Sequence, residues 1–190
     1  MNILVVDYIC TRGHIFFNKI HLNALVQTNH KFTYVSRKGY LEVPENSLYY
    51  EIPEEFYIHQ TQNKVSSLTY LMYEIKKLLF VKNIINVIKP DAVVVLTYDE
   101  LSLAFFRVKC PTFIVNHANV DLMNIWYRKL FMRFLPSNFI HVCLTKRIYE
   151  YMKISCKQNK IVYVPHGCLF DNPRKSEKTN IIFAIVENIS

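Results

Sequence analysis

The stretch PTFIVNHANVD, Pro111 to Asp121, decides how this chain is read. Residues 112–116 are an apolar run of the kind a strand buried on both faces needs. The run delivers His117, with Asn116 and Asn119 beside it, just before an amphipathic segment. Open α/β sheets place their ligands at the carboxyl ends of such strands, where backbone and side-chain groups converge at the mouth of a crevice. His117 is therefore the candidate catalytic residue, and Asn119 a candidate contact for an acceptor or a phosphate. The plainer alternative is a helix N-cap next to a hydrogen-bonded packing histidine.

Outward from this run, strand-like and helix-like segments alternate. Strands are expected at 2–8 (NILVVDY), 32–36, 91–96 (DAVVVL), 139–144 and 161–164, with a further one near 49–52. Helical spacing covers 14–27, 66–88, 100–108, 122–135 and 147–156, with Ser66 or Ser67 as a cap and Pro90 as a stop for the longest. The alternation predicts an α/β fold: a doubly wound, mostly parallel, Rossmann-like sheet with helices on both faces and right-handed crossovers. Residues 37–61, rich in Tyr, Glu and Pro, form a long excursion of the kind that is often functional. Residues 1–170 make one domain, the polar stretch 171–180 reads as a linker, and 181–190 as the first strand of a second domain.

The 190 residues carry 23 Lys plus Arg against 15 Asp plus Glu, a net charge of +8, which favours an anionic partner. Nucleic acid is the weaker choice, because the basic residues sit on helices with apolar faces rather than among stacking aromatics. No segment reaches the roughly 18 unbroken apolar residues of a spanning helix, and the N-terminus lacks the basic region and cleavage site of a secretory signal. The five cysteines, Cys10, Cys110, Cys143, Cys156 and Cys168, are scattered without a C-x-x-C pair. That pattern opposes a disulfide framework and a zinc site and fits a reducing, cytoplasmic setting. His21, His30, His59 and His141 have no metal-like spacing and read as surface or packing residues.

The first strand-to-helix turn holds Gly13 but not the three glycines of a dinucleotide fingerprint, and no P-loop is present. Arg12, Gly13 and His14 can still hold an anion such as a phosphate at a helix N-terminus, or form an ordinary turn. Asp99 and Glu100 end the strand 91–96 and either serve as an acid–base or acceptor-binding pair or cap the next helix. Tyr49, Tyr50, Glu54, Glu55 and Phe56 either line an acceptor groove or fold over the sheet edge. At about 100° per residue, Met123, Trp126, Tyr127, Leu130, Phe131 and Phe134 share one arc of the helix 122–135. Arg128, Lys129 and Arg133 lie outside that arc, beside Leu122, Ile125 and Met132. One arc can face the sheet while the other, basic and apolar, lies against an anionic membrane; the alternative is a core helix with snorkelling basic residues. Trp126, Arg128, Lys129 and Arg133 are the membrane-facing candidates.

The order of elements, the entry PDAVVV at 90–95, His117 after a strand, Thr145 opening a late helix, and KIVYVPHG at 160–167 followed by Phe170 and Pro173 resemble the N-terminal half of a GT-B glycosyltransferase. The likeness is to the large retaining family that builds bacterial polysaccharides and lipopolysaccharides, and it covers about residues 1–186. It departs from that pattern in the single Gly13 of the first loop, in Thr145 where a serine is common, and in His166 where an asparagine precedes the glycine. The resemblance implies that this half holds a glycan or lipid-linked acceptor while a C-terminal donor domain holds the nucleotide sugar, with no other cofactor. It further implies that His117 faces the interdomain cleft and donates to an oxygen gaining negative charge, that Thr145 lies near the phosphates, and that His166 and Gly167 form the hinge. The family's two-glutamate donor motif is not found in these residues. The implied location is the cytoplasm, peripheral on the inner face of the plasma membrane. A non-catalytic nucleotide- or sugar-binding module and a nucleic-acid-binding domain are the competing readings.

Overall fold

The computed structural model describes residues 1–10, 15, 18, 19, 22, 28–40, 43, 47–57, 67–98, 100–117 and 126–164, with the side chains at 67, 100, 101, 127 and 128 left out. The expected linker 171–180, the strand beyond it, and Arg12, Gly13, His14, Asp99, Asn119, His166 and Gly167 lie outside the described residues. Seven strands form one sheet: β1 (Asn2–Asp7), β2 (Lys31–Arg37), β3 (Leu48–Ile52), β4 (Ala92–Thr97), β5 (Thr112–Asn116), β6 (Phe139–Cys143) and β7 (Lys160–Tyr163). Their order is β3-β2-β1-β4-β5-β6-β7, and every pairing is parallel. The chain therefore winds one way from β1 to β3 and the other way from β4 to β7, with its switch point between β1 and β4.

The central strands are mostly apolar because both of their faces are covered: all six residues of β4 and all five of β5 are buried. Side chains alternate between two cores. Leu4, Val6, Val93, Val95 and Ile114 face a layer built from α1 (Ser67–Ile88), α2 (Glu100–Phe105), α3 (Trp126–Arg133) and α4 (Lys146–Ser155), which contribute Val81, Leu103, Met132 and Met152 among others. Ile3, Val5, Val94, Phe113 and Val115 face the opposite layer, which includes Leu22. Ile15, Asn18, Lys19 and Leu22 are helical, as the spacing over 14–27 predicts. Helix α1 closes at Lys89, whose positive φ of 48° lets its N–H reach the Ile85 carbonyl at 2.8 Å before Pro90 blocks any continuation.

The fold exposes residues from both arcs of the helix 122–135. Met132 and Leu135 are buried, whereas Trp126 (74%), Leu130 (42%) and Phe134 (60%) are exposed with Lys129 and Arg133. Both faces of this helix are apolar, so periodicity alone could not choose between them. The choice is made by Met132 and Leu135, three residues apart, which join Phe139, Met152 and Cys156 in the core. Tyr49, Glu54 and Phe56 take the second of their two expected roles. Tyr49 donates to the Arg37 carbonyl at 2.9 Å, Glu54 pairs with Arg37, and Phe56 packs edge-on against Phe80, folding the excursion over the sheet edge.

Candidate functional site

The carboxyl ends of β1, β4 and β5 bring a connected set of polar groups to the switch point. Asp7 ends β1 with 1% of its surface exposed. Its carboxylate accepts from the Cys10 backbone N–H at 3.0 Å, from Asn18 Nδ2 at 2.5 Å and from the Thr97 hydroxyl. Thr97 in turn accepts from the Ile9 N–H at 3.0 Å. A buried carboxylate is tolerable only when its lone pairs are so occupied. The geometry originates in a register shift: Val6 pairs with Val95 but Asp7 with Thr97, so Leu96 is an extra residue on β4. Asp7 thus ties the loop after β1 to the end of β4, and so fixes the mouth of the crevice.

His117 occupies the adjacent position. The registered β4–β5 pairs end at Val95–Ile114, and beyond them His117 Nε2 lies 2.6 Å from the Leu96 carbonyl. A carbonyl only accepts, so Nε2 carries the proton and donates. The consequence for chemistry is specific. In the neutral ring, Nδ1 is an acceptor, suited to taking a proton from a hydroxyl. The donor role expected from sequence requires the imidazolium form, with Nδ1–H directed at an anion.

Beneath His117, Asn116 is fully buried. Its Oδ1 accepts from the Tyr98 hydroxyl at 2.5 Å, and its Nδ2 lies 2.8 Å from the Ile114 carbonyl, 3.3 Å from the Val142 carbonyl and 3.4 Å from His141 Nδ1. His141 is a packing residue with no exposed surface; its Nε2 has no partner among the described residues, and burial lowers its pKa to about 3. Cys10 sits in the crevice wall, with its sulfur 3.2 Å from both the Asp7 carbonyl and the Arg37 nitrogen. Burial, aided by the Asp7 carboxylate, pushes this thiol well up. It remains protonated and is not a nucleophile.

Of the candidate site residues from sequence whose side chains are described, His117 is the one placed in this cluster. Glu100 opens α2. Thr145 sits at the end of β6, where its hydroxyl accepts from the Ile148 N–H at 3.2 Å and caps α4. Asp7, Thr97, Tyr98 and Asn116 were not assigned to the site. The available signal was a polar residue at the last position of each buried run: Asp7 after ILVV, Thr97 after VVVL and Asn116 after FIV.

Several solved structures share the fold of this chain. Sucrose-phosphate synthase from Thermosynechococcus elongatus superimposes with a TM-score of 0.62 at 9% identity, over 88% of this chain and 49% of that one. The fold is that of a GT-B half-domain. A glycosyltransferase from Rickettsia africae matches with a TM-score of 0.58 at 13% identity, over 100% of this chain and 50% of that one. UDP-GlcNAc 2-epimerase from Methanocaldococcus jannaschii gives 0.55 at 17% identity, over 86% and 45%. The GT-B half-domain described here thus spans about half the length of these proteins. No protein-family model and no curated protein sequence matches the chain.

Proposed function

We propose that this chain is the acceptor-side half of a retaining GT-B glycosyltransferase that moves a hexose from a nucleotide sugar to a cell-surface glycan or lipid-linked acceptor. The observation that carries the reading is the polar cluster at the switch point, Asp7, Thr97, Tyr98, Asn116 and His117, on a half-domain shared with glycosyltransferases. In this reading His117 lies in the cleft toward a donor-binding second half, near the loops that carry Arg12, Gly13, His14, Asp99 and Asn119. The imidazolium donates through Nδ1 to the sugar or the leaving phosphate, a form favoured beside a diphosphate.

Residues 1–190 alone are expected to transfer no sugar, because the donor half supplies the nucleotide site. In a preparation containing both halves, His117→Ala should lower turnover by on the order of a hundredfold. Loss of the Leu96 hydrogen bond should cost only about 1 kcal/mol of stability. Steady-state turnover and urea unfolding of the same variant separate the two effects. Normal turnover would remove His117 from the site.

The half-fold shared with UDP-GlcNAc 2-epimerases supports a second reading, in which the chain is a sugar-nucleotide-binding half without transfer activity. Tight binding of UDP-GlcNAc by residues 1–190 with no saccharide binding would favour it.

The exposed face of α3 supports a membrane partner. Trp126, Leu130 and Phe134 at four-residue spacing stand beside Lys129 and Arg133, a pairing of inserting side chains with basic groups that suits an anionic headgroup layer on the cytoplasmic face. Among the described residues no helix is long and apolar enough to cross a membrane. Sedimentation with anionic vesicles should recover the protein in the pellet, less so in high salt and less so for Arg128→Glu with Arg133→Glu. Equal recovery with zwitterionic vesicles would sink the membrane assignment.

A further inference from the structure

The sheet edge opposite this cluster, where the parallel strands begin, holds a cavity of ≈ 450 Å³ between the end of α1 and the segment entering β5. Lys82 and Lys89 line it from the α1 side, and Arg107 and Lys109 from the β5 side. Among the described residues no carboxylate lines it. Asp91, the nearest acid in sequence, accepts from the Asn2 N–H at 2.7 Å and acts on Cys110 through its charge. The ion pairs found among the described residues, Arg37–Glu54 and Lys77–Glu74, involve none of the four cations. The carboxyl end of α1 contributes a partial charge of roughly −0.5, and this together with the Asp91 carboxylate leaves the greater part of four positive charges unbalanced.

Two of the cations are positioned by the backbone around them. Lys89 occupies the left-handed helix-closing position with φ of 48°, where glycine is the unstrained choice. Arg107 is steered by one Nη2 contact, 3.3 Å to the Phe134 carbonyl, which leaves the remaining N–H groups of the guanidinium to turn inward. Ile85 and Val108 supply apolar wall. A volume within the roughly 300–1,000 Å³ of small-ligand sites leaves room for an organic body attached to the anion. A monoanion would leave most of the repulsion standing; a phosphate dianion or diphosphate would not.

We propose that this cavity binds a phosphoryl-bearing anion, at a site separate from the strand-end cluster by the length of the sheet, about 20 Å for a six-residue strand. Two sources present this chemistry, a soluble phosphate ester and an anionic phospholipid headgroup. The proposal is independent of glycosyl transfer.

Cys110 also lines the cavity and is half-buried, whereas Cys10, Cys143 and Cys156 are buried, so its alkylation reports on occupancy. The test uses the whole chain, iodoacetamide and peptide mapping by mass spectrometry. One arm adds inorganic pyrophosphate against sodium chloride of equal ionic strength; the other adds phosphatidylglycerol or phosphatidylcholine vesicles. Alkylation of Cys110 should slow saturably with pyrophosphate or with phosphatidylglycerol vesicles, the responding arm naming the source. Arg107→Gln with Lys109→Gln, compared as the ratio with and without ligand, should weaken the effect about tenfold, equivalent to about 1.4 kcal/mol. Unchanged alkylation in both arms, or protection that survives in this variant, overturns the proposal.

Discussion

Lowering the pH from about 7 to about 5 should cost the folded protein roughly 2 kcal/mol through His141 alone. The residue is fully buried, and desolvation holds its pKa at about 3, below the unfolded value of 6.5. The unfolded chain therefore binds a proton as the pH falls below about 6.5, while the native state does not. Stability is complete above that pH and declines by up to about 1.4 kcal/mol per unit down to the folded pKa. The measurement is urea unfolding at a series of pH values. His141→Asn keeps an acceptor for Asn116 Nδ2 and removes the titration, so its stability should be flatter between pH 6.5 and 5 even if lower throughout. Equal slopes in the two proteins would refute the assignment. The consequence reaches the candidate site, because Asn116, bonded to Tyr98 and lying 3.4 Å from His141, supports the strand end that carries His117.

Lys77→Met should be still more costly, by about 3–5 kcal/mol. Lys77 Nζ lies 2.5 Å from Glu74 Oε1, and both side chains are only 7% exposed. Ser102 donates to the other Glu74 oxygen at 2.8 Å, and the Tyr57 ring lies 5.0 Å from the ammonium. Deleting the lysine leaves a carboxylate in the core with one neutral donor. The matched change Glu74→Gln with Lys77→Met removes the orphaned charge and should recover most of the loss, since a buried pair as a whole contributes little net stability. Urea unfolding of the two single variants and the double gives the coupling directly. A loss under about 1 kcal/mol for Lys77→Met would mean that water reaches Glu74.

These two cases mark where sequence reading stopped. The strands were legible because β1, β4 and β5 each carry an apolar run, ILVV, AVVVL and FIV, and Pro90 and the Leu68-to-Leu79 spacing outlined α1 nearly to the residue. His117 was legible as a polar residue at a strand end. Asp7 was not, because its significance depends on Thr97, 90 residues away, which becomes a neighbour only once β1 pairs with β4. Nothing local distinguishes Glu74 and Lys77 from a solvated helical pair; only the fold brings their face to Ser102 and Tyr57. The orientation of α3 stayed open for a related reason: a helix apolar on both sides takes its direction from what it docks against.

The strand order also governs how the sheet can assemble. On one side of the switch point, β5 and β6 meet across 26 residues, from Asn116 to Val142. Between β1 and β4 the chain must close a loop more than three times longer, across which Asp7 meets Thr97. Contacts of such separation slow folding, because closure entropy is lost before the contact forms. During synthesis β1 is made first yet must wait for residues 92–97, its inner edge unpaired and aliphatic in the interval. The Asp7–Thr97 tie at the mouth of the crevice is thus among the longest-range links in the chain, and the crevice exists only after the two halves of the sheet have joined.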